Sequence, residues 1–350
     1  MRPTGLESEF CVIGENIHTT RVVLRSGKLV AADPSGKESV RYTTAEGETR
    51  YLGIPDAIKQ RQDYQEARVK HVMIAIRAAM SSVEADAGEG MTYLRAMIDK
   101  QIKGGADYLD LNVDEISLRL EEQKTAMRWL VRFVEERSPA PLSIDSSNLE
   151  ILAAGLEVCE GKAGPPLLNS ASLERMEALD IAHRRGLPVV VTAAGASGMP
   201  QNTEERVENA SRIVESALSK GIPLERMHVD ALVFPISVDS QFGNHCLDAF
   251  RCLRQRFGPE IHLTGGLSNV SFGLPCRKLI NEVFMNLAVD AGADSGIVDP
   301  VANDLNSVFV ADRSSRPYQL AEDMLLGRDR NCKSFLRAYR KGELTVSAAV

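Results

Sequence analysis

Eight short runs of β-forming residues, separated by amphipathic stretches, constrain the fold of this chain more than any other feature. They are Cys11-Val12-Ile13, Tyr108–Val113, Pro141–Asp145, Pro166–Asn169, Val189–Thr192, Met227–Asp230, Ile261–Thr264 and Gly296–Asp299. Helical patterns fill the gaps at Glu121–Glu136, Leu149–Cys159, Leu173–Arg185 and Arg277–Ala291. From Glu204, apolar residues fall at Val207, Ala210, Ile213, Val214, Ala217 and Leu218, which makes one apolar face. Asn202 or Thr203 can cap its start, and Lys220-Gly221 followed by Pro223 stops it. Strands that alternate with helices pair in parallel, and eight of them close into a barrel. The expected fold is therefore an α/β (β/α)8 TIM barrel, with residues 1–350 as a single domain. An open doubly wound sheet is the alternative, but no G-x-G-x-x-G follows a strand, which weakens its dinucleotide-binding form.

Two regions break the alternation. Residues 21–55 read as β-ribbon: Arg21–Arg25, Lys28–Val30 and Val40–Thr43, with turns at Gly27, Pro34-Ser35-Gly36 and Glu46-Gly47. Following the first strand, they form an enlarged first βα loop, which barrel geometry places on the catalytic face as a lid or docking surface. The alternative is a loop that only packs on its own barrel. The stretch Lys333–Lys341 reads as a basic, solvated surface helix.

Charge and composition exclude several function classes. A net charge of −7 disfavours phosphate-backbone binding, and an aromatic content of 5% disfavours a base-stacking platform, so no nucleic-acid partner is expected. The six cysteines form no C-x-x-C and no zinc-spaced cluster with histidine. No metal site is expected, and a reduced cytoplasmic setting fits best. Met1–Glu7 lacks an apolar signal region, and no apolar run approaches the roughly 18 residues of a membrane span.

The strand ends carry the chemistry. Asp110 with Asn112, Asp145, Asn169 and Asp230 close four strands, and Asn269 follows the seventh. Asp and Asn also cap helices and close turns, and Asp145 before Ser146-Ser147-Asn148 is partly a helix start. Five such ends projecting from one rim exceed what capping alone requires. The set is rich in acceptors and amides and poor in cations, with no phosphate loop, no Ser-His-Asp order and no H-E-x-x-H. That chemistry suits a neutral, nitrogen-rich heterocycle; a pterin ring, with its amino and lactam N–H groups, meets it. His183 to Gly186 reads H-x-x-G, but Asp180 stands three residues before the histidine and the segment is helical, so it is structural. His18, in Gly14-Glu15-Asn16-Ile17-His18-Thr19, follows the first strand on the catalytic face.

Together these pieces resemble the pterin-binding methyltransferases, including methyltetrahydrofolate:corrinoid/iron–sulfur protein methyltransferase and the folate domain of cobalamin-dependent methionine synthase. The matching segments are Ile13–Asn16, Gly105–Val113, Ile144–Asn148, Leu168-Asn169-Ser170, Gly221-Ile222-Pro223, Val229–Leu232 and Gly266–Pro275. The resemblance implies a (β/α)8 barrel, usually dimeric, in which Asp145, Asn169 and Asp230 bind the pterin. Glu15, Asp110, Asn112 and Ser268 join them as candidate substrate-binding residues. Asn269 is the candidate catalytic residue, contacting the N5 that carries the methyl group. The implied substrate is tetrahydrofolate or 5-methyltetrahydrofolate, and the implied methyl partner is a corrinoid (cobalamin) on another protein, in either direction of transfer. Three features depart from the family: Thr192 leads into the small apolar run Ala193–Ala196, the 21–55 ribbon is added, and Asn16-Ile17-His18 replaces the usual opening. Two other readings remain open: a dihydropteroate-synthase-like condensation, and a folate-binding protein without catalysis.

Overall fold

The computed structural model describes residues 9–344; the expectation for Met1–Glu7 lies outside them. Its thirteen strands are β1 Cys11–His18, β2 Val23–Leu24, β3 Val30–Ala32, β4 Glu38–Thr43, β5 Thr49–Gly53, β6 Arg68–Val69, β7 Tyr108–Asn112, β8 Leu142–Asp145, β9 Leu167–Ala171, β10 Val189–Thr192, β11 Met227–Asp230, β12 His262–Thr264 and β13 Ser295–Val298. Eight of them form one sheet in the order β12-β11-β10-β9-β8-β7-β1-β13. The return to the starting edge is made by a parallel bridge between Gly266 and Ile297 and by the Asp294 N–H donating to the Leu263 carbonyl. This is the expected (β/α)8 barrel. Its strands read as near-continuous apolar runs because both faces are covered; Val189–Thr192 is buried at every position.

By contact density the chain divides into two compact units, Gly14–Asn169 and the segments up to Ile13 and from Ser170 onward. In the first, register aligns Asn112 with Asp145 and Asp145 with Asn169. In the second, it aligns Thr192 with Asp230 and Asp230 with Thr264. Polar side chains at the C-terminal ends of neighbouring strands are therefore cross-strand neighbours.

Three local expectations need correction. The first strand runs for eight residues, to His18, and not for three. Glu15, Asn16 and His18 thus belong to the strand itself. The polar residues do not end it because their backbone is satisfied within the fold: the Asn16 N–H donates to Gln101 Oε1 at 3.0 Å, and the Thr19 N–H to the Asn112 carbonyl at 3.0 Å. The antiparallel region also extends past residue 55, because β2 pairs with β6 at Arg68–Val69. Its main part is a three-stranded sheet, β3-β4-β5, with Val40 aligned to Val30 and Leu52. That sheet is anchored on the helix Glu84–Lys103: the Tyr42 hydroxyl donates to Glu89 at 2.5 Å and Arg50 pairs with Glu89 at 2.6 Å.

The helices His71–Ala79 and Glu84–Lys103 have no counterpart among the expected helical patterns. Gly88 and Gly90 obscure the second. A Cβ at Gly90 would sit 2.4 Å from the Ala79 backbone nitrogen, so glycine is what lets the two helices approach. The segment expected as helix from Leu173 becomes helical only at Glu177, and Gly186 at φ +64° ends it. The H-x-x-G run is thus a helix stop.

Candidate active site

In the unit Gly14–Asn169, the ends of β1, β7, β8 and β9 hold a continuous polar network. Asp110 and Asn112 lie two apart on β7, so their side chains leave the same face. Asp110 is fully buried. One of its oxygens pairs with His18 Nε2 at 2.7 Å, and the other accepts from Asn169 Nδ2 at 3.3 Å. Asn112 donates its amide to Asp145 Oδ2 at 2.8 Å. Its own side-chain oxygen accepts from the Asp114 N–H at 3.0 Å, which fixes the amide orientation. Among the described residues, Asp145 Oδ1 and the Asn169 side-chain oxygen accept nothing, which leaves two acceptors for a ligand. Glu15 is held by Arg21 at 3.2 Å.

Burial and the neighbouring Asp110 push the Asp145 carboxyl up to about 7, against the opposing pull of His18 and the Asn112 amide. Burial works against a charged His18, but the hydrogen bond and charge of Asp110, with Asp145 and Glu15 behind it, outweigh that and raise the imidazole above its ordinary value. Donor atoms of His18, Asp110 and Asp145 lie within 4.8 Å of one another, close enough to suggest chelation. Asp110, however, already spends both oxygens on His18 and Asn169, and a 2.7 Å separation is that of a charge-assisted hydrogen bond. The arrangement is a proton-bearing network.

In the unit from Ser170 onward, Asp230 ends β11. Its Oδ1 accepts from the Leu232 N–H at 2.7 Å, and Leu232 adopts φ +63° to make that turn. Arg206 is fully buried beneath this turn. Its guanidinium stacks over Phe234 at 4.8 Å and donates to the Asn202 carbonyl at 3.0 Å. Burial raises the Asp230 carboxyl to about 6, although the Leu232 N–H and the Arg206 charge oppose the rise. After β12 the chain turns through Gly265 and Gly266 into a short 3-10 helix, Leu267–Ser271. Asn269 is therefore in a helical turn and not in a loose loop. The half-buried Asn269 side chain has no hydrogen-bond partner among the described residues. Ser268 is buried with its hydroxyl unpartnered, and Arg277 donates to the Ser268 carbonyl at 3.0 Å and to Ser271 Oγ at 2.9 Å.

Of the expected site residues, Asn112, Asp145 and Asp230 end their strands, Ser268 and Asn269 follow β12, and Glu15, Asp110 and Asn169 lie inside β1, β7 and β9. Asp145 is not a helix cap: Asn148 takes that role, accepting from the Glu150 N–H at 2.8 Å. The sequence reading missed Asp114 and Arg206. Asp114 binds Ser146 Oγ at 2.5 Å and the Ser147 N–H at 2.9 Å, and so fixes the turn after Asp145. Its place two residues beyond Asn112 was the available signal. Arg206 carried none, because an arginine in a helix reads as surface. After β10, Thr192 Oγ1 accepts from the Ala194 N–H at 3.4 Å, which ties the start of the small apolar run Ala193–Ala196 to the strand end.

The sequence pattern of the family described as pterin binding enzyme matches residues 79–299. The chain belongs to this family. Among its relatives, a protein of Eubacterium limosum named methylcorrinoid:tetrahydrofolate methyltransferase is 34% identical over 265 residues, 72% of this chain and 89% of that one. Methionine synthase of Mycobacterium leprae is 30% identical over 213 residues, 57% of this chain and 17% of that longer protein. A dihydropteroate synthase of Xanthomonas albilineans superposes with a TM-score of 0.52 at 20% identity, covering 65% of this chain and 86% of that one, which is a likeness of fold. The span matched to the pterin-binding family contains Asp110, Asn112, Asp145, Asn169, Asp230, Ser268 and Asn269. Glu15 and His18 lie before it. None of the helices among the described residues is long and apolar enough to cross a membrane.

Proposed function

We propose that this pterin-binding enzyme moves a methyl group between N5 of tetrahydrofolate and the cobalt of a corrinoid carried by a partner protein. The observation that carries the reading is the Asn269 amide, presented at the end of β12 by a short helix and free of protein partners among the described residues. The likeness to the Eubacterium limosum methyltransferase supports it. By resemblance, Asp145, Asn169 and Asp230 bind the pterin, with Glu15, Asp110, Asn112 and Ser268 contributing. The unpartnered acceptors on Asp145 and Asn169 suit its amino and lactam N–H groups. The reading includes a cytoplasmic homodimer and a corrinoid protein acting in trans.

The methyl on N5 is a poor electrophile, because the nitrogen would have to leave as an anion. Hydrogen bonding or protonation at N5 removes that obstacle. As the N5–methyl bond breaks, its electron pair returns to N5. Asn269 accepts from the N–H that forms, or orients the water that brings the proton. A contact that strengthens as charge develops raises the rate more than the affinity. The corrinoid supplies the nucleophile in this direction and the methyl group in the other, and the same residues serve both.

A dihydropteroate-synthase-like condensation would need cations for a pyrophosphate near β12 and β13. Arg277 is already engaged by Ser268, Ser271 and the Phe272 ring. The deciding experiment incubates the protein with 5-methyltetrahydrofolate and cob(I)alamin, and then with candidate corrinoid proteins, while following the cobalt absorption spectrum. Methyl transfer supports the proposal. Tight folate binding without transfer to any corrinoid would sink it in favour of a binding protein.

A further inference from the structure

His18 lies outside the residues matched to the pterin-binding family, yet it closes the polar network at the ends of β1, β7, β8 and β9. Its Nε2 sits 2.7 Å from Asp110 Oδ2; its own side chain is 14% exposed and that of Asp110 is fully buried. The charged groups facing it are Glu15 from its own strand, Asp110 from β7 and Asp145 from β8, and Asp114 adds its charge at Asp145. Glu15 is itself countered by Arg21 at 3.2 Å. Among these, His18 is the group that gains a positive charge on protonation, placed against the acidic pair.

We propose that His18, through Asp110, is a positioning residue that fixes which end of the Asn169 amide faces the substrate and keeps Asp145 ready as an ionised acceptor. The proposal rests on the pterin-binding reading of Asp145 and Asn169. An ionised Asp110 only accepts hydrogen bonds, so it holds the Asn169 NH2 at 3.3 Å and turns the Asn169 oxygen outward. Without the His18 ring, the buried Asp110 Oδ2 loses the group held at 2.7 Å and becomes an acceptor that competes for the Asn169 NH2. The Asn169 amide then shifts toward that oxygen, and its outward oxygen leaves the place where a pterin N–H needs an acceptor. The positive charge of the protonated ring opposes protonation of Asp145, whose carboxyl stands at about 7.

The test measures binding of 5-methyltetrahydrofolate by calorimetry from pH 5.5 to 8.5, in the natural protein, His18→Gln and His18→Lys. Affinity of the natural protein should rise with pH through about 7, following Asp145. His18→Gln keeps a donor without the charge. Its midpoint should move up, with affinity at pH 7 falling about tenfold for each unit of movement. His18→Lys restores a cation and should return the midpoint toward the natural one. A purely structural role would not sort the variants by charge. Coincident midpoints in all three proteins would overturn the proposal. If the variants do not fold, NMR titration of the His18 ring in the natural protein decides instead: a ring still charged at pH 7 supports it, and a ring neutral by pH 6 refutes it. A natural protein that binds no folate at any pH refutes the pterin reading itself, and that outcome is distinct from coincident midpoints.

Discussion

Replacing Gly266 by alanine should damage methyl transfer while leaving folding and folate binding nearly intact. Gly266 has φ −70°, which alanine adopts without strain. The added Cβ would lie 2.7 Å from Asn269 Nδ2, where ordinary contact begins at 3.4 Å. The amide must therefore retreat by about 0.7 Å, and since it is the end of a side chain it can do so by rotation. Stability should change by less than about 1 kcal/mol. A displacement of this size at a reacting centre costs up to about 100-fold in rate, because hydrogen-bond geometry at N5 is lost when charge develops. The assay is single-turnover methyl transfer from 5-methyltetrahydrofolate, followed by the cobalt spectrum, alongside calorimetric folate binding and thermal melting. A fall of about 10- to 100-fold in rate with folate affinity within about threefold fits the geometry. Full activity in Gly266→Ala would refute it, because an amide that tolerates this displacement is not acting on N5.

Three further outcomes follow from the same structure. Asn269→Ala should lower the transfer rate by about 100- to 1000-fold with modest change in folate affinity; near-normal turnover would remove Asn269 from the mechanism. Asp145→Asn should weaken folate binding yet raise the melting temperature at pH 8. A carboxyl held near 7 in the fold and near 3.8 when unfolded loses stability as pH rises between those values, roughly 1–4 kcal/mol by pH 8. The gain should therefore vanish below about pH 4, and unchanged folate affinity or a lower melting point at pH 8 would count against the assignment. Gly90→Ala should cost about 1–3 kcal/mol or more of stability, because its Cβ would meet backbone atoms of Ala79 and Ala75 at 2.4 and 2.6 Å. An unchanged melting curve would contradict that helix contact.

Much of the barrel is legible along the chain. The cores of the strands from β7 to β13 are apolar runs bounded by turns, and the helix Thr203–Ser219 begins after Asn202, whose side chain caps it. The helix Glu84–Lys103 was not legible, because its glycines serve a contact with another helix and look locally like breakers. β1 was too short in sequence terms for a similar reason: Gln101 accepts from the Asn16 N–H and Arg21 pairs with Glu15, so both polar residues are held within the strand.

The sequence by itself determined which strands build the barrel, that they alternate with helices, and that carboxylates and amides stand toward their C-terminal ends. Those properties depend on residues a few positions apart, through side-chain periodicity, capping and turn chemistry. Only the tertiary structure decided what those end groups do. His18 meets Asp110 across 92 positions, Asn169 meets Asp110 across 59, and Asn112 meets Asp145 across 33. Proton affinity and amide orientation follow from such distant pairings and from burial. The same aspartate can therefore cap a turn, anchor a network or await a ligand, according to what folding brings beside it.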